Sequence, residues 1–224
     1  MLDHQRRFLD LAFARDVLRF GEFKLKSGRL SPYFFNAGRF DSGASLGELA
    51  RCYADAIVAS GIGFDLLFGP AYKGIPLAAA VALAFEHHHG RDVPYAYDRK
   101  EAKDHGEGGS LVGAPVHGRV LIIDDVVTAG TAARGSIEKL RAAGAEPVAL
   151  AVALDRQERG TGERSAIQEL RETEGIDVIA VADLDALIEY ARDQPQLAAH
   201  LPAIEAYRGQ YGVSQSPVSR QPRA

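Results

Sequence analysis

The sequence contains one cysteine, Cys52, and no tryptophan, and its longest apolar run covers only residues 75–85. A single cysteine excludes an internal disulfide, and an apolar run of that length is too short to span a bilayer as a helix. The first residues lack the uninterrupted apolar stretch of a signal peptide, because Asp3 and Arg6 fall among them. We therefore expect a cytoplasmic protein in which Cys52 is reduced and has a packing role.

A strong charge of one sign is also missing. The 224 residues carry a formal net charge of −4, so no global field attracts nucleic acid or an anionic membrane, and local groups must bind any polyanionic ligand. The hydrophobic fraction of 46% is that of an ordinary globular protein, and a chain of this length can bury one substantial core. The composition therefore predicts a single globular domain.

Helical and strand patterns alternate along most of the chain. Helical periods cover residues 44–60, 75–88, 131–143 and 163–173. Apolar strands lie between them at residues 65–69, 93–98, 119–124, 147–155 and 176–184. Strands that are apolar on both faces and alternate with helices predict an α/β fold with a central, mostly parallel sheet flanked by helices.

The chain before residue 44 follows a different pattern. It begins with a predicted amphipathic helix over residues 6–20, whose apolar face comprises Leu9, Phe13, Val17 and Phe20. Turn signals then break residues 24–40 into short apolar pieces, which predicts a hairpin-like flap outside the central sheet. We expect residues 1–43 to form a helix and a small hood, residues 44–213 to form the α/β core, and residues 214–224 to be a disordered tail.

The segment RVLIIDDVVTAGTA, residues 119–132, joins the clearest strand to a helix. Ligands of open α/β sheets bind at the carboxyl ends of strands, where Asp124 and Asp125 fall. Carboxylates accept hydrogen bonds from sugar hydroxyls, whereas the amides of a small-residue turn and a helix start receive phosphate. The segment therefore suits a ribose 5-phosphate. The plainer alternative is that Asp125 caps the next helix and Asp124 is a solvated strand end.

This segment resembles the phosphoribosyl diphosphate (PRPP) signature of type I phosphoribosyltransferases, in which two acids follow an apolar strand and a TxGT turn receives the phosphate. The resemblance extends to about Val213 and is strongest to the family members that use orotate. It implies the type I phosphoribosyltransferase fold with an N-terminal hood. It assigns PRPP binding to Asp124, Asp125, Val126, Val127, Thr128, Ala129, Gly130, Thr131 and Ala132.

Two further segments carry cations. FGPAYKGIPLA, residues 68–78, is a second strand-to-helix turn whose Lys73 and amides suit a diphosphate, although an ordinary surface lysine would give the same pattern. YDRKEAKDHGEGG, residues 97–109, is a polar, glycine-rich segment that could be only a solvated loop, or could close cations over a leaving group. In these two segments the resemblance assigns substrate binding to Tyr72, Lys73, Arg99, Lys100, Lys103 and His105.

Three places in the sequence suit recognition of the base. Lys26 and the pair Phe34-Phe35 could contact and stack on a planar anionic pyrimidine. Arg156, at the end of a strand, could take a carboxylate in a paired contact. The phenylalanines could equally be the core of the flap. Family members that use orotate carry Lys, Phe-Phe and Arg in these places, so the resemblance implies orotate as the acceptor.

The resemblance implies transfer of ribose 5-phosphate from PRPP to orotate, with release of diphosphate. It implies Mg²⁺ as the cofactor, held mainly through PRPP, so we predict no protein residue as a metal ligand. Lys103 and Asp125 are the predicted catalytic residues: Lys103 would act on the leaving diphosphate, and Asp125 would hold the ribose as positive charge develops at C1. The resemblance also implies a homodimer in which the cationic loop of each subunit covers the neighbouring site.

Two other functions are compatible with a PRPP-binding turn. The first is transfer to a purine or to uracil, against which Lys26, the Phe34-Phe35 pair and Arg156 argue. The second is a PRPP-sensing regulator of transcription or RNA that performs no chemistry. Such a regulator is expected to carry a nucleic-acid module or a basic face, and we find neither in the sequence.

Overall fold

The computed structural model describes residues 1–25, 27–103, 109–160 and 162–213. The first half of the chain forms α1 (Asp3–Ala14), β1 (Leu18–Lys24), β2 (Leu30–Phe35), α2 (Gly43–Ser60), β3 (Leu66–Gly69), α3 (Gly74–His89) and β4 (Tyr95–Lys103). The second half forms β5 (Gly109–Gly113), β6 (Arg119–Ile123), α4 (Thr131–Ala142), β7 (Glu146–Asp155), α5 (Ala166–Glu174), β8 (Asp177–Asp183), α6 (Leu184–Asp193) and α7 (Leu201–Tyr211). Short 3-10 helices occupy Ala37–Arg39 and Pro195–His200.

Six strands form the central sheet in the order β5-β4-β3-β6-β7-β8. The pairs β3–β4, β3–β6, β6–β7 and β7–β8 are parallel, and only β5 runs antiparallel to its neighbour β4 among the six. This arrangement confirms the predicted α/β fold with a mostly parallel sheet. From the central pair β3 and β6 the chain crosses to opposite sides of the sheet, since β3 leads through α3 to β4 and β6 leads through α4 to β7.

The two faces of the sheet bury separate hydrophobic clusters. Leu121 of β6 packs in the cluster that contains α2 and α3, whereas the next residue, Ile122, packs in the cluster that contains α4 and α5. This alternation follows from the two-residue period of a strand and explains why β6 is apolar along its whole length. Cys52 of α2 is fully buried in the first cluster, as predicted, and burial raises the pKa of its thiol to about 12.

The N-terminal prediction is partly wrong. Helix α1 ends at Ala14 instead of residue 20, because Asp16 turns the chain with a left-handed backbone angle φ of +54°. Val17 then lies in a turn and Phe20 in β1, although both had matched the helical period. The predicted flap is confirmed: β1 and β2 form a separate two-stranded antiparallel sheet.

Two further regions differ from the sequence prediction or extend it. The polar segment predicted as a loop is largely strand at its ends, since β4 continues to Lys103, which pairs with Gly109 of β5. Helices α6 and α7 were not predicted. The centre of the polar segment, residues 104–108, and the predicted tail, residues 214–224, lie outside the described residues. No helix in the described part of the chain is long and apolar enough to cross a membrane.

Strand β3 and helix α3 approach each other more closely than side chains would allow. A Cβ atom built on Gly69 would lie 2.2 Å from the carbonyl oxygen of Gly74, and one built on Gly74 would lie 2.8 Å from the carbonyl oxygen of Ile123. The turn between β3 and α3 is therefore packed directly against the end of β6, which brings two strand-to-helix turns together.

We expect Gly69→Ala to destabilise the fold by about 1–3 kcal/mol, because the added methyl group must push backbone atoms apart. Gly135→Ala is the matched control, since Gly135 lies inside α4 and an added Cβ would have no neighbour within 4 Å. Helix propensity predicts that this control is unchanged or more stable by up to about 1 kcal/mol. Denaturant unfolding measures both variants, and a Gly69→Ala protein as stable as the control would contradict the close approach.

Candidate active site

Two helices begin side by side at the carboxyl end of the sheet. Helix α3 follows β3 with Lys73 at its N-cap, and α4 follows β6 with Gly130 at its N-cap. No side chain caps either helix start. In α3 the amides of Gly74 and Ile75 donate to the carbonyls of Pro70 and Tyr72. The two helix starts therefore offer an anion the positive ends of their dipoles. Such an edge can receive two anionic groups.

Asp124 and Asp125 follow directly after the last residue of β6 and turn toward the amides of the next residues. Asp124 Oδ1 accepts a hydrogen bond from the amide of Asp125 at 2.8 Å, and Asp125 Oδ1 accepts one from the amide of Val126 at 2.9 Å. The buried Tyr53 hydroxyl donates to the carbonyl of Asp124 at 2.7 Å. Asp125 therefore does not cap α4, whose N-cap is Gly130, and the helix-cap alternative is wrong.

The two carboxylates differ in their electrostatic surroundings. Burial raises the pKa of Asp124 to about 6, although the hydrogen bond from the amide of Asp125 opposes the shift; the neighbouring Asp125 carboxylate raises the pKa further. The surroundings of Asp124 are thus not those of a solvated strand end. A hydrogen-bond donor in addition to the Asp125 amide would favour the charged form of this carboxylate.

Lys73 joins the two turns. Its Nζ lies 2.5 Å from Asp125 Oδ2, and its side chain is 62% exposed while that of Asp125 is 11% exposed. A cavity of about 160 Å³ opens beside this pair and is otherwise lined mostly by apolar residues of α2, the start of α3 and the segment 37–40. The neighbouring Tyr72 is exposed. The predicted diphosphate lysine and the predicted ribose acid are therefore direct partners here.

The turn between β6 and α4 has the form expected of a phosphate turn. Gly130 is left-handed, with φ of +73°, a conformation that strains any residue with a side chain. Val126 and Val127 are half-buried, whereas the positions nearest the helix start are exposed: Thr128, Ala129, Thr131 and Ala132. Arg134, which the sequence analysis did not select, donates from Nη2 to the carbonyl of Ala129 at 2.9 Å and so lies across the turn.

Arg156 lies after β7 and contacts the flap. Its Nε donates to Glu158 at 2.7 Å, its Nη2 donates to the Ser31 hydroxyl at 3.1 Å, and its guanidinium stacks over the Tyr33 ring at 4.4 Å. Glu158 also forms an ion pair with Nη2 of Arg156 at 2.6 Å. The sequence analysis missed Glu158, although it lies only two residues beyond Arg156.

The two phenylalanines of β2 point to opposite sides. Phe35 packs 6.1 Å from Phe8 in the core, whereas Phe34 lies 5.5 Å from Phe23 and beneath the Arg19 guanidinium at 5.7 Å. They do not form one stacking surface, and the flap-core alternative describes Phe35. Lys26, predicted beside them, lies outside the described residues.

The remaining predicted residues fall on or after β4. Arg99 is half-buried in this strand, and Lys100 and Lys103 belong to it. His105 lies outside the described residues. Strand β4 pairs with β3, whose end leads into the turn of Lys73. The predicted cationic segment therefore begins close to that turn.

Residues 41–186 match the family model described as phosphoribosyl transferase domain, so the chain belongs to the phosphoribosyltransferases. The chain is 64% identical over 213 residues to an orotate phosphoribosyltransferase of Thioalkalivibrio sulfidiphilus, which covers 95% of this chain and 100% of that protein. It is 59% identical to the corresponding protein of Pseudomonas aeruginosa, with the same coverage.

Solved structures agree with these relatives. The orotate phosphoribosyltransferase of Francisella tularensis superposes with a TM-score of 0.84 at 42% identity, covering 92% of this chain and 99% of that one. The UMP synthase of Leishmania donovani gives a TM-score of 0.71 at 31% identity, covering 92% of this chain and 42% of that longer one. The chain belongs to the orotate phosphoribosyltransferase family, which is a family of pentosyltransferases.

The raised pKa of Asp124 predicts a pH-dependent stability. Because the folded pKa is about 6 and the ordinary value is 3.8, the folded state holds this proton more tightly than the unfolded state, and stability is lost as the pH rises through 6. We expect Asp124→Asn, which cannot ionise, to gain stability relative to wild type by up to about 3 kcal/mol between pH 4 and pH 7.

Denaturant unfolding at several pH values measures this difference. Asp3→Asn is the control, because the Asp3 side chain is 85% exposed. A constant difference between wild type and Asp124→Asn across this pH range would show that Asp124 is not held in a desolvated site.

Proposed function

We propose that the chain transfers ribose 5-phosphate from PRPP to orotate, giving orotidine 5′-monophosphate and diphosphate, a step of pyrimidine nucleotide synthesis. The observation that carries this proposal is the meeting of Asp124, Asp125 and Lys73 between two uncapped helix starts. The relatives that match nearly the whole chain bear the name of this activity. We place the activity in the cytoplasm, as the sequence predicts.

The geometry supports a specific placement of PRPP. The 5-phosphate would receive hydrogen bonds from the amides and hydroxyls of residues 128–132, and the ribose hydroxyls would donate to Asp124 and Asp125. Hydroxyl donors favour the charged form of Asp124, which burial disfavours in the free protein. The diphosphate would lie on the turn of residues 71–73, beside Lys73. On binding, Lys73 would leave Asp125 and pair with the diphosphate.

Charges on the two sides of the ribose then suit the reaction. As the bond between C1 and the diphosphate breaks, positive charge develops on the sugar, and the carboxylates of Asp124 and Asp125 lie on its hydroxyl side. Negative charge accumulates on the diphosphate, which Lys73 would offset together with Arg99, Lys100, Lys103 and His105. Lys103 is the proposed catalytic residue of this segment and Asp125 that of the ribose side. Closure of the segment would exclude water from the activated sugar.

Mg²⁺ is the proposed cofactor. Hard oxygen donors suit this ion, and the candidate site offers the carboxylates of Asp124 and Asp125 next to the place of the ribose hydroxyls and the diphosphate. The described residues contain no cluster of three side chains that could hold a metal ion by themselves, so we propose that most ligands come from PRPP. Bound there, Mg²⁺ would neutralise charge on the leaving diphosphate.

Orotate would lie between the flap and the end of β7. Its carboxylate would meet Arg156, whose orientation Glu158 and Ser31 fix. Lys26 and Phe34 are the proposed contacts from the flap, and Phe35 would support the flap from the core. A guanidinium that pairs with a substrate carboxylate favours orotate over bases that lack this group, because those bases forgo the charged hydrogen bonds.

The first experiment follows orotate by ultraviolet absorbance with PRPP and Mg²⁺, beside uracil, hypoxanthine and adenine. We expect only orotate to react, and only with both PRPP and Mg²⁺ present. Arg156→Met should raise KM for orotate by about 10-fold to 100-fold, the worth of a lost charged hydrogen-bond pair, with KM for PRPP nearly unchanged. Equal use of uracil would refute orotate as the specific acceptor. PRPP binding without any reaction would favour a PRPP-sensing regulator.

We also propose a homodimer in which the cationic segment of one subunit serves the site of the other. An apolar surface supports this: Leu83 of α3 is 61% exposed and borders, with Tyr95 of β4, a groove of about 540 Å³. Exposed apolar patches of this kind mark protein contacts. A second copy packed on this face would lie beside the strand that carries Arg99, Lys100 and Lys103.

Mixing two inactive variants tests the shared site. We expect Lys103→Ala and Asp125→Asn to be inactive separately. In mixed dimers one of the two sites would combine intact Lys103 from one subunit with intact Asp125 from the other. Unfolding and refolding an equal mixture should therefore restore about a quarter of the wild-type activity, since half the dimers are mixed and each has one complete site. No restoration, with dimers present by light scattering, would show that each subunit uses its own segment.

A further inference from the structure

A buried carboxylate outside the acid pair contacts the proposed diphosphate turn. Asp98 lies in β4 and is almost fully buried. Its Oδ1 accepts a hydrogen bond from the amide of Ala71 at 2.6 Å, and its Oδ2 accepts one from Lys139 Nζ. Ala71 begins the turn that contains Lys73, and Lys139 lies in α4, the helix that follows the phosphate turn. Neither Asp98 nor Lys139 was selected from the sequence.

The position of Asp98 in its strand gives this contact a functional meaning. Asp98 pairs with Leu111 of β5 at the last regular position before the register between the two strands shifts. The next residue, Arg99, begins the cationic segment that runs to Lys103. One side chain thus ties the diphosphate turn to the base of the segment whose cations would meet the same diphosphate. A displacement of either element would change their spacing, and substrate positioning is sensitive to shifts of about 1 Å.

A carboxylate in this place also has an electrostatic cost. Next to a bound diphosphate it would repel the substrate, because buried charges interact through a low effective dielectric constant. Lys139 offsets that charge and is 45% exposed, so it reaches Asp98 from the solvent side. Lys139 acts on Asp98 through this ion pair, whereas Asp98 itself holds the turn.

We propose that Asp98 is a positioning residue for the diphosphate of PRPP and that Lys139 masks its charge from the substrate. This assignment rests on the proposed placement of the diphosphate at residues 71–73. It makes the ion pair part of substrate binding as well as of folding, and it assigns separate tasks to the two oxygens of Asp98. Oδ1 holds the turn, and Oδ2 requires a cation only because the group is charged.

Four variants separate these tasks. Asp98→Ala removes both contacts, whereas Asp98→Asn keeps an oxygen for the Ala71 amide and removes the charge, leaving the exposed Lys139 free to turn to solvent. Lys139→Met leaves the carboxylate without its cation. The double variant Asp98→Asn/Lys139→Met has neither charge but keeps the bond to the turn. Arg141→Met is the matched control, because Arg141 lies in the same helix, is 47% exposed and pairs with Glu174.

Steady-state kinetics and thermal unfolding are measured for all variants. We expect Asp98→Ala to raise KM for PRPP by about 10-fold or more, and Lys139→Met by about 5-fold, with KM for orotate within about 2-fold of wild type. Asp98→Asn should stay within about 3-fold, and the double variant should return to the value of Asp98→Asn, because a neutral side chain needs no cation. Arg141→Met should leave both KM values unchanged.

Several results would overturn the proposal. KM for PRPP could stay unchanged in Lys139→Met, or stay raised in the double variant, which would mean that Lys139 has no masking role. All variants could change only the thermal midpoint, which would mean a structural role alone. If Asp98→Ala fails to fold, the comparison of Lys139→Met with the double variant still decides. Lys73→Met tests the placement of the diphosphate separately from the role of Asp98. A normal KM for PRPP in this variant would refute that placement.

Discussion

The pairing of β3 with β6 determines where the two strand-to-helix turns of the candidate site lie. Because the chain leaves these two neighbouring strands toward opposite faces of the sheet, α3 and α4 begin next to each other. The close packing of Gly69 and Gly74 against the end of β6 makes this edge narrow. The positive ends of two helix dipoles therefore face one volume, which no single strand-to-helix turn could provide.

The charges around that volume are balanced pair by pair. Asp125 is matched by Lys73 and Asp98 by Lys139, while the half-buried Asp124 accepts from the amide of Asp125 and has a pKa raised by partial desolvation. A site for a polyanion thus contains three carboxylates, which is tolerable because two have cations and the third can hold a proton. On the base side Glu158 similarly matches Arg156. The protein's small net charge conceals this local organisation.

The sequence was sufficient where the signal is local. The apolar run of β6, the two acids and the small residues after them predict a strand that ends in a turn, and the structure has this conformation. The helical period suggested too long a helix because Val17 and Phe20 pack against the core from the turn after α1 and from β1. Contacts between distant residues gave no sequence signal: Asp98 meets Lys139 across 41 positions, and Phe35 reaches Phe8 across the hood. Opposite orientations of Phe34 and Phe35 follow from the strand period, which adjacency in the sequence had obscured.

In the protein without substrate, Lys73 and Asp125 pair with each other. A substrate that binds between them must therefore replace this ion pair with its own contacts. Whatever displaces the ammonium from Asp125 must replace it with donors of comparable strength, and vicinal sugar hydroxyls can do so. A deoxygenated sugar phosphate would instead leave a nearly buried carboxylate without a donor once Lys73 turned to the diphosphate. With PRPP placed as we propose, selection of ribose over deoxyribose would be built into the resting protein, before any base is bound.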